Sequence, residues 1–102
     1  MPVLLQFDFP YQGPFGPEMS AAMEGLSREI AEEPGLLWKI WTESRSEARS
    51  GGIYLFTDEA SARAYQEKHT VRLGQFGIRE IRALLFEVNE PLSRITRAPL
   101  QP

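Results

Sequence analysis

Val3, Leu5, Phe7 and Phe9 alternate with Leu4, Gln6 and Asp8 at the start of the chain. A period of two predicts a strand, here with one wholly apolar face. Gly13-Pro14-Phe15-Gly16 predicts a turn, and Pro17 suits the first position of a helix. Met19, Met23, Leu26 and Ile30 then recur at spacings of four and three, opposed by Glu18, Glu24, Arg28, Glu29 and Glu32. That stripe predicts an amphipathic helix, stopped by Pro34-Gly35. Leu36 to Glu43 reads as a second strand, rich in aliphatic and aromatic residues. Ser44 to Ser50, polar apart from Ala48, predicts a hairpin loop, and Gly51-Gly52 lead into a third strand from Ile53 to Phe56. Thr57-Asp58-Glu59 is a helix start with an oxygen cap and first-turn acids. Ala62, Tyr65, His69, Leu73 and Phe76 continue at helical spacing to Gly77, with a break or tightening expected near Thr70. Ile78 to Val88 predicts a last, long strand ended by Asn89-Glu90-Pro91, and Leu92 to Pro102 forms a tail that is frayed or laid on another surface.

The order β-α-β-β-α-β predicts a single α+β domain over residues 1–102, a ferredoxin-like split βαβ with a four-stranded antiparallel sheet. Both helices then cover one sheet face and leave the other bare. The all-apolar face of the first strand is expected to meet the helices, so Gln6 and Asp8 point away from them. Ile53 and Leu55 are placed under the helices. Leu4, Tyr54, Phe56, Leu84 and Phe86 are assigned to the bare face. An apolar face of that extent is a partner or ligand surface. Packing it against a second copy gives a homodimer, a dimeric α+β barrel with a cavity in each half and the tail free to reach the partner subunit.

Composition narrows the function. The net charge of −3 and scattered basic residues give no electrostatic reason to expect nucleic acid. Cysteine is absent, which removes disulfides, thiolate metal sites and thiol catalysis. One histidine and no carboxylate–histidine spacing of a known kind leave no expected metal site. The first nine residues lack a basic n-region and carry Asp8 in their apolar run, unlike a signal peptide. No apolar stretch approaches the roughly 18–20 residues of a membrane span. The expectation is a soluble, cytoplasmic protein.

Several stretches resemble one known family. Leu4-Leu5-Gln6, Gly13-Pro14-Phe15-Gly16, Glu33-Pro34-Gly35, Leu37-Trp38-Lys39 and Trp41-Thr42-Glu43-Ser44 are similar to YdhR proteins. So are Gly51 to Glu59 (GGIYLFTDE), Glu67 to Thr70 (EKHT) and Val88 to Ser93 (VNEPLS). The similarity runs from the first strand to the tail. It implies a ferredoxin-like protomer in a homodimeric barrel, and a monooxygenase by kinship with enzymes that oxidise polycyclic phenols or quinols without a cofactor. The same barrel also hosts other chemistries, so the activity rests on analogy of fold.

Cofactor-free oxygenation by dioxygen needs an apolar slot, a polar group to orient the substrate and a proton acceptor. His69 has the ring suited to proton transfer near neutrality and lies on the inward helix stripe. It fits either that role or a hydrogen-bonded closure of the helix end. Asp8 is the second candidate base, with a pKa raised by desolvation if it faces the cavity, or else a salt-bridged strand-end carboxylate. Gln6, Tyr54 and Phe56 are placed as substrate contacts, with packing as the alternative. Trp38 and Trp41 fall on opposite faces of the second strand, so at most one lines the pocket, and the pattern leaves the choice open. Three functions are compatible with these residues. The first is a monooxygenase acting on a small aromatic phenol or quinol, and the second a non-catalytic small-molecule binder. The third is a haem-handling or isomerase-type barrel.

Overall fold

The structure is a computed structural model and describes residues 1–101. Strand β1 (Val3–Pro10) is followed by helix α1 (Gly16–Ala31), strands β2 (Leu36–Ser44) and β3 (Arg49–Phe56), helix α2 (Glu59–Gln75), strand β4 (Arg82–Glu87) and a short helix α3 (Glu90–Ile95). The strands form one antiparallel sheet in the order β2-β3-β1-β4. The fold is α+β and ferredoxin-like, as the sequence order requires.

Val3, Leu5, Phe7 and Phe9 are all buried and form the floor on which the helices pack. From α1 come Met19 and Ile30, and from α2 Ala62, Tyr65, His69 and Leu73. Helix α2 begins at Asp58, whose side chain accepts from the Ser61 N–H at 2.8 Å. It then runs unbroken through Thr70, whose hydroxyl donates to the Gln66 carbonyl at 2.7 Å, so the expected tightening there is absent. Ser and Thr readily bond back to the preceding turn without ending a helix. Helix α1 has no side-chain cap, but the Gly16 N–H donates to Glu43 Oε1 at 2.8 Å. That bond ties the helix start to β2.

Register decides which side chains share a face. Leu5 lies opposite Tyr54, and Val3 opposite Phe56. Tyr54 and Phe56 therefore face the helices, both 0% exposed, and their placement on the bare face is corrected. Ile53 and Leu55 are on the open face, the reverse of the expectation. Strand β3 is apolar on both sides, so alternation alone carried no sign for it. Strand β2 departs from strict alternation. The ladder is irregular between Leu36, which pairs with Phe56, and Trp38, which pairs with Leu55. This bulge puts Leu36 under the helices and Trp38 with Ile40 on the open face, although strict alternation groups all three.

The hairpin between β2 and β3 is tighter than expected, because β3 already begins at Arg49, with Ala48 at φ 51° in the turn. Strand β4 is shorter than the expected Ile78 to Val88, since Glu80 sits at φ 54° and breaks the extended run. The tail is ordered as far as residue 101, and Pro102 lies outside the described residues. Asn89 caps α3 by accepting from the Leu92 N–H at 3.2 Å, and the Pro99 carbonyl accepts from Trp38 Nε1 at 2.6 Å. Ile40 (53% exposed), Leu84 and Phe86 remain open on that face, with Leu92 and Ile95 of α3 nearby in sequence. No helix is long and apolar enough to cross a membrane, among the described residues.

Candidate functional site

A cavity of about 470 Å³ lies between the helix layer and the sheet. Its walls are Met19, Ala22, Met23 and Leu26 of α1, His69 and Leu73 of α2 with Phe76 and Ile78 after it, Phe9, Lys39, Trp41, Ser50 and Gly51 of the sheet, and Tyr11, Gly13 and Pro14 of the turn after β1. The size suits one drug-sized aromatic molecule. The lining is mainly apolar, and its polar side chains are Tyr11, Lys39, Ser50 and His69, with the indole N–H of Trp41.

The sheet contributes Lys39 and Trp41 because both point to the helices, opposite Tyr54 and Gly52. Lys39 Nζ stands 3.4 Å over the Trp41 ring centroid and 4.7 Å over that of Tyr54. Gly52 makes the room, since a Cβ there would lie 2.7 Å from Lys39 Cε. Neither Lys39 nor Arg72 of α2 forms a salt bridge, whereas six other basic residues do, among the described residues. Burial, and then the Arg72 charge, pulls the Lys39 amine down from 10.5 to about 7. Cation–π contact with Trp41 acts the other way and favours the ammonium form.

His69 is 4% exposed, stacked on Tyr65 at 5.0 Å and edge-on to Phe7 at 5.1 Å. Its Nδ1 lies 3.0 and 3.3 Å from the two nearest Arg72 nitrogens. Guanidinium only donates, so Nδ1 accepts and the ring proton is assigned to Nε2. Burial, with Lys39 and Arg72 adding, lowers His69 to about 3. At neutral pH it is an uncharged hydrogen-bond donor and not a base. Beneath it the Tyr65 hydroxyl donates to the Tyr54 hydroxyl at 3.3 Å. Burial raises both phenols, Tyr65 to about 12. Ser50 Oγ is occupied, donating to the Thr42 carbonyl at 3.0 Å.

Of the residues singled out in the sequence, the structure brings His69 and Trp41 together at this cavity. Tyr54 lies under Lys39, and Phe56 is core; neither lines the cavity. Trp38, Gln6 and Asp8 are on the opposite sheet face. The raised-pKa reading of Asp8 is corrected: Arg49 and Arg82 both bind its carboxylate, the latter at 2.8 Å, and burial does not outweigh them. Its pKa is lowered, and an ionised, doubly paired carboxylate is a poor proton acceptor. The residues missed were Lys39, Arg72 and Tyr11. The available signal was a lysine set in a strand otherwise aromatic and aliphatic, Leu36 to Trp41. No three His, Asp or Glu side chains gather closely enough to hold a metal ion, among the described residues.

The family model described as "Putative mono-oxygenase ydhR" matches residues 4–99. No curated protein matches the chain.

Proposed function

The chain belongs to the ydhR family, and from that premise we propose that it is a cofactor-independent monooxygenase acting on a small aromatic or polycyclic phenol or quinol. The observation that carries the reading is the apolar cavity of about 470 Å³ between helices and sheet, floored by Trp41 and closed by a single neutral histidine. A quinol suits it because the substrate itself supplies the electrons. One quinol and one dioxygen give one hydroxyquinone and one water, so atoms and electrons balance without an outside reductant. The chain's part is to bind, orient and exclude water. Trp41 offers a ring face for stacking. His69 Nε2–H donates to a substrate oxygen, held in that tautomer by Arg72 behind it. The methionine and leucine side chains of α1 keep the cavity dry, which protects the reactive anion.

The exposed apolar residues Ile40, Leu84 and Phe86 support a homodimer in which the open sheet faces pack together. On this reading the reaction chamber is inside each protomer, not between the two. Incubation with 1,4-naphthoquinol under ¹⁸O₂ is the test. The product should carry one labelled oxygen above the uncatalysed background and should vanish anaerobically. Enzyme-dependent product of unchanged yield without dioxygen would overturn the assignment. The low basicity of His69 favours a second reading, a non-catalytic binder using the same cavity. That reading predicts a ligand-raised Tm with no turnover.

A further inference from the structure

The reaction above needs a proton acceptor, and the expected one, His69, is too weak a base with its Nδ1 already engaged. Other groups in the cavity fail too. Tyr11 is raised by burial and by Glu43, so it keeps its proton, and Ser50 is held by the Thr42 carbonyl. We propose that Lys39 is the proton acceptor of the cavity: its amine takes the proton of a bound phenol, and the ammonium so formed pairs with the phenolate over the Trp41 face. The proposal rests on the cavity reading given above.

The geometry supports it on three counts. Lys39 borders the cavity with its Nζ fixed over two rings by the space at Gly52. It forms no salt bridge among the described residues, so no carboxylate must be displaced. The groups facing it are neutral or positive. Helix α2 presents His69 and Arg72, β3 presents the Tyr54 ring, the turn after β1 presents Tyr11, and α1 presents Met19, Met23 and Leu26. Two basic side chains without a facing carboxylate in a half-buried space make a site that an entering negative charge completes. The step is simple: the phenol O–H bond breaks, its electron pair stays on oxygen, and an N–H bond forms on Lys39. Burial and then the Arg72 charge had depressed the amine, and an oxyanion beside it favours the ammonium against both, so the transferred proton is retained.

The test uses 4-nitrophenol, whose phenolate is coloured and whose acid form is not. Wild-type protein should bind it as phenolate, lowering its apparent pKa by about one unit or more, a tenfold shift in ionisation. Calorimetry in buffers of different ionisation enthalpy counts protons. Binding should release about one proton well below pH 7, where the free probe is phenol and Lys39 is already ammonium. It should take up about one well above pH 7, where the free probe is phenolate and the amine gains a proton from solvent. Lys39→Met should still bind the probe, but as neutral phenol. Lys39→Arg should restore the coloured form while releasing about one proton well below pH 7 and exchanging about none well above it, since arginine stays charged. A phenolate band that survives in Lys39→Met, or a wild-type complex with uncoloured phenol, would overturn the role of Lys39 and leave the cavity reading standing. No binding to wild type, or binding indifferent to Trp41→Ala, would remove the cavity reading and this role together.

Discussion

At the residue scale, burial turns His69 and Lys39 from ordinary titrating groups into neutral ones at the pH where each would normally be charged. His69 goes from 6.5 to about 3, so the unfolded chain holds the extra proton between those values. Stability is therefore full above about 6.5 and falls as the pH drops toward 3. Between pH 6.5 and about 4.5, where Asp8 does not yet titrate, wild type should lose up to about 2 kcal/mol from this group. His69→Gln should flatten that limb in denaturant melts, and an unchanged slope would contradict the burial argument. Lys39 gives the matching alkaline limb. Its depression from 10.5 to about 7 means that stability rises with pH across that window, and Lys39→Met should abolish the rise. Asp8 is of another kind, a carboxylate clamped by Arg49 and Arg82 on the far side of the sheet. Asp8→Asn should cost about 1 kcal/mol, since both arginines are substantially exposed, and should leave turnover per folded molecule unchanged. His69 was legible in the sequence as an inward residue, because helical spacing fixes the face. Its lost basicity was not, because that comes first from burial and then from Lys39, which only the fold brings near, with Arg72 one turn along the same helix adding.

Elements show where pattern reading stops. The alternation of β1 placed its apolar face under the helices correctly, because one face is wholly apolar and the other carries Gln6 and Asp8. Strand β3 offered Ile53, Tyr54, Leu55 and Phe56 in a row, with no polar residue to mark a side, and only the pairing of Leu5 with Tyr54 resolves it. In β2 the bulge before Trp38 reverses the face within two residues, and no residue type there announces it. The same strand makes the site, since Lys39 and Trp41 face inward where β3 supplies only Gly52. Gly52→Ala should displace the Lys39 stem and weaken 4-nitrophenol binding about tenfold, a change calorimetry can read as one unit of log Kd. The tail is held by Trp38. Trp38→Phe keeps the ring but removes the bond to the Pro99 carbonyl, at a cost of about 1 kcal/mol. Faster hydrogen exchange in residues after Ile95 is the expected sign, and unchanged exchange would show that the bond does not anchor the tail.

On the scale of the whole molecule, the sequence order was enough for the fold and for the expectation of an uncovered sheet face. It was not enough to locate the chamber. Tertiary packing leaves the space beside α1, where Met19, Met23 and Leu26 stand off from Trp41, and side-chain standoff of that sort has no periodic signature. The open face and the chamber are thus separate surfaces, one proposed for a twin subunit and the other for substrate. Sedimentation should show a two-chain particle, and Phe86→Lys should shift it toward one chain while leaving the probe's pKa shift intact. The most direct measurement is a crystal structure with 2-hydroxy-1,4-naphthoquinone, the product type of the proposed reaction. The ligand should lie between Trp41 and the methionines of α1, with an oxygen within hydrogen-bonding distance of Lys39 Nζ and His69 Nε2. Ligand density confined to the open face, beside Trp38, Leu84 and Phe86, would contradict the account.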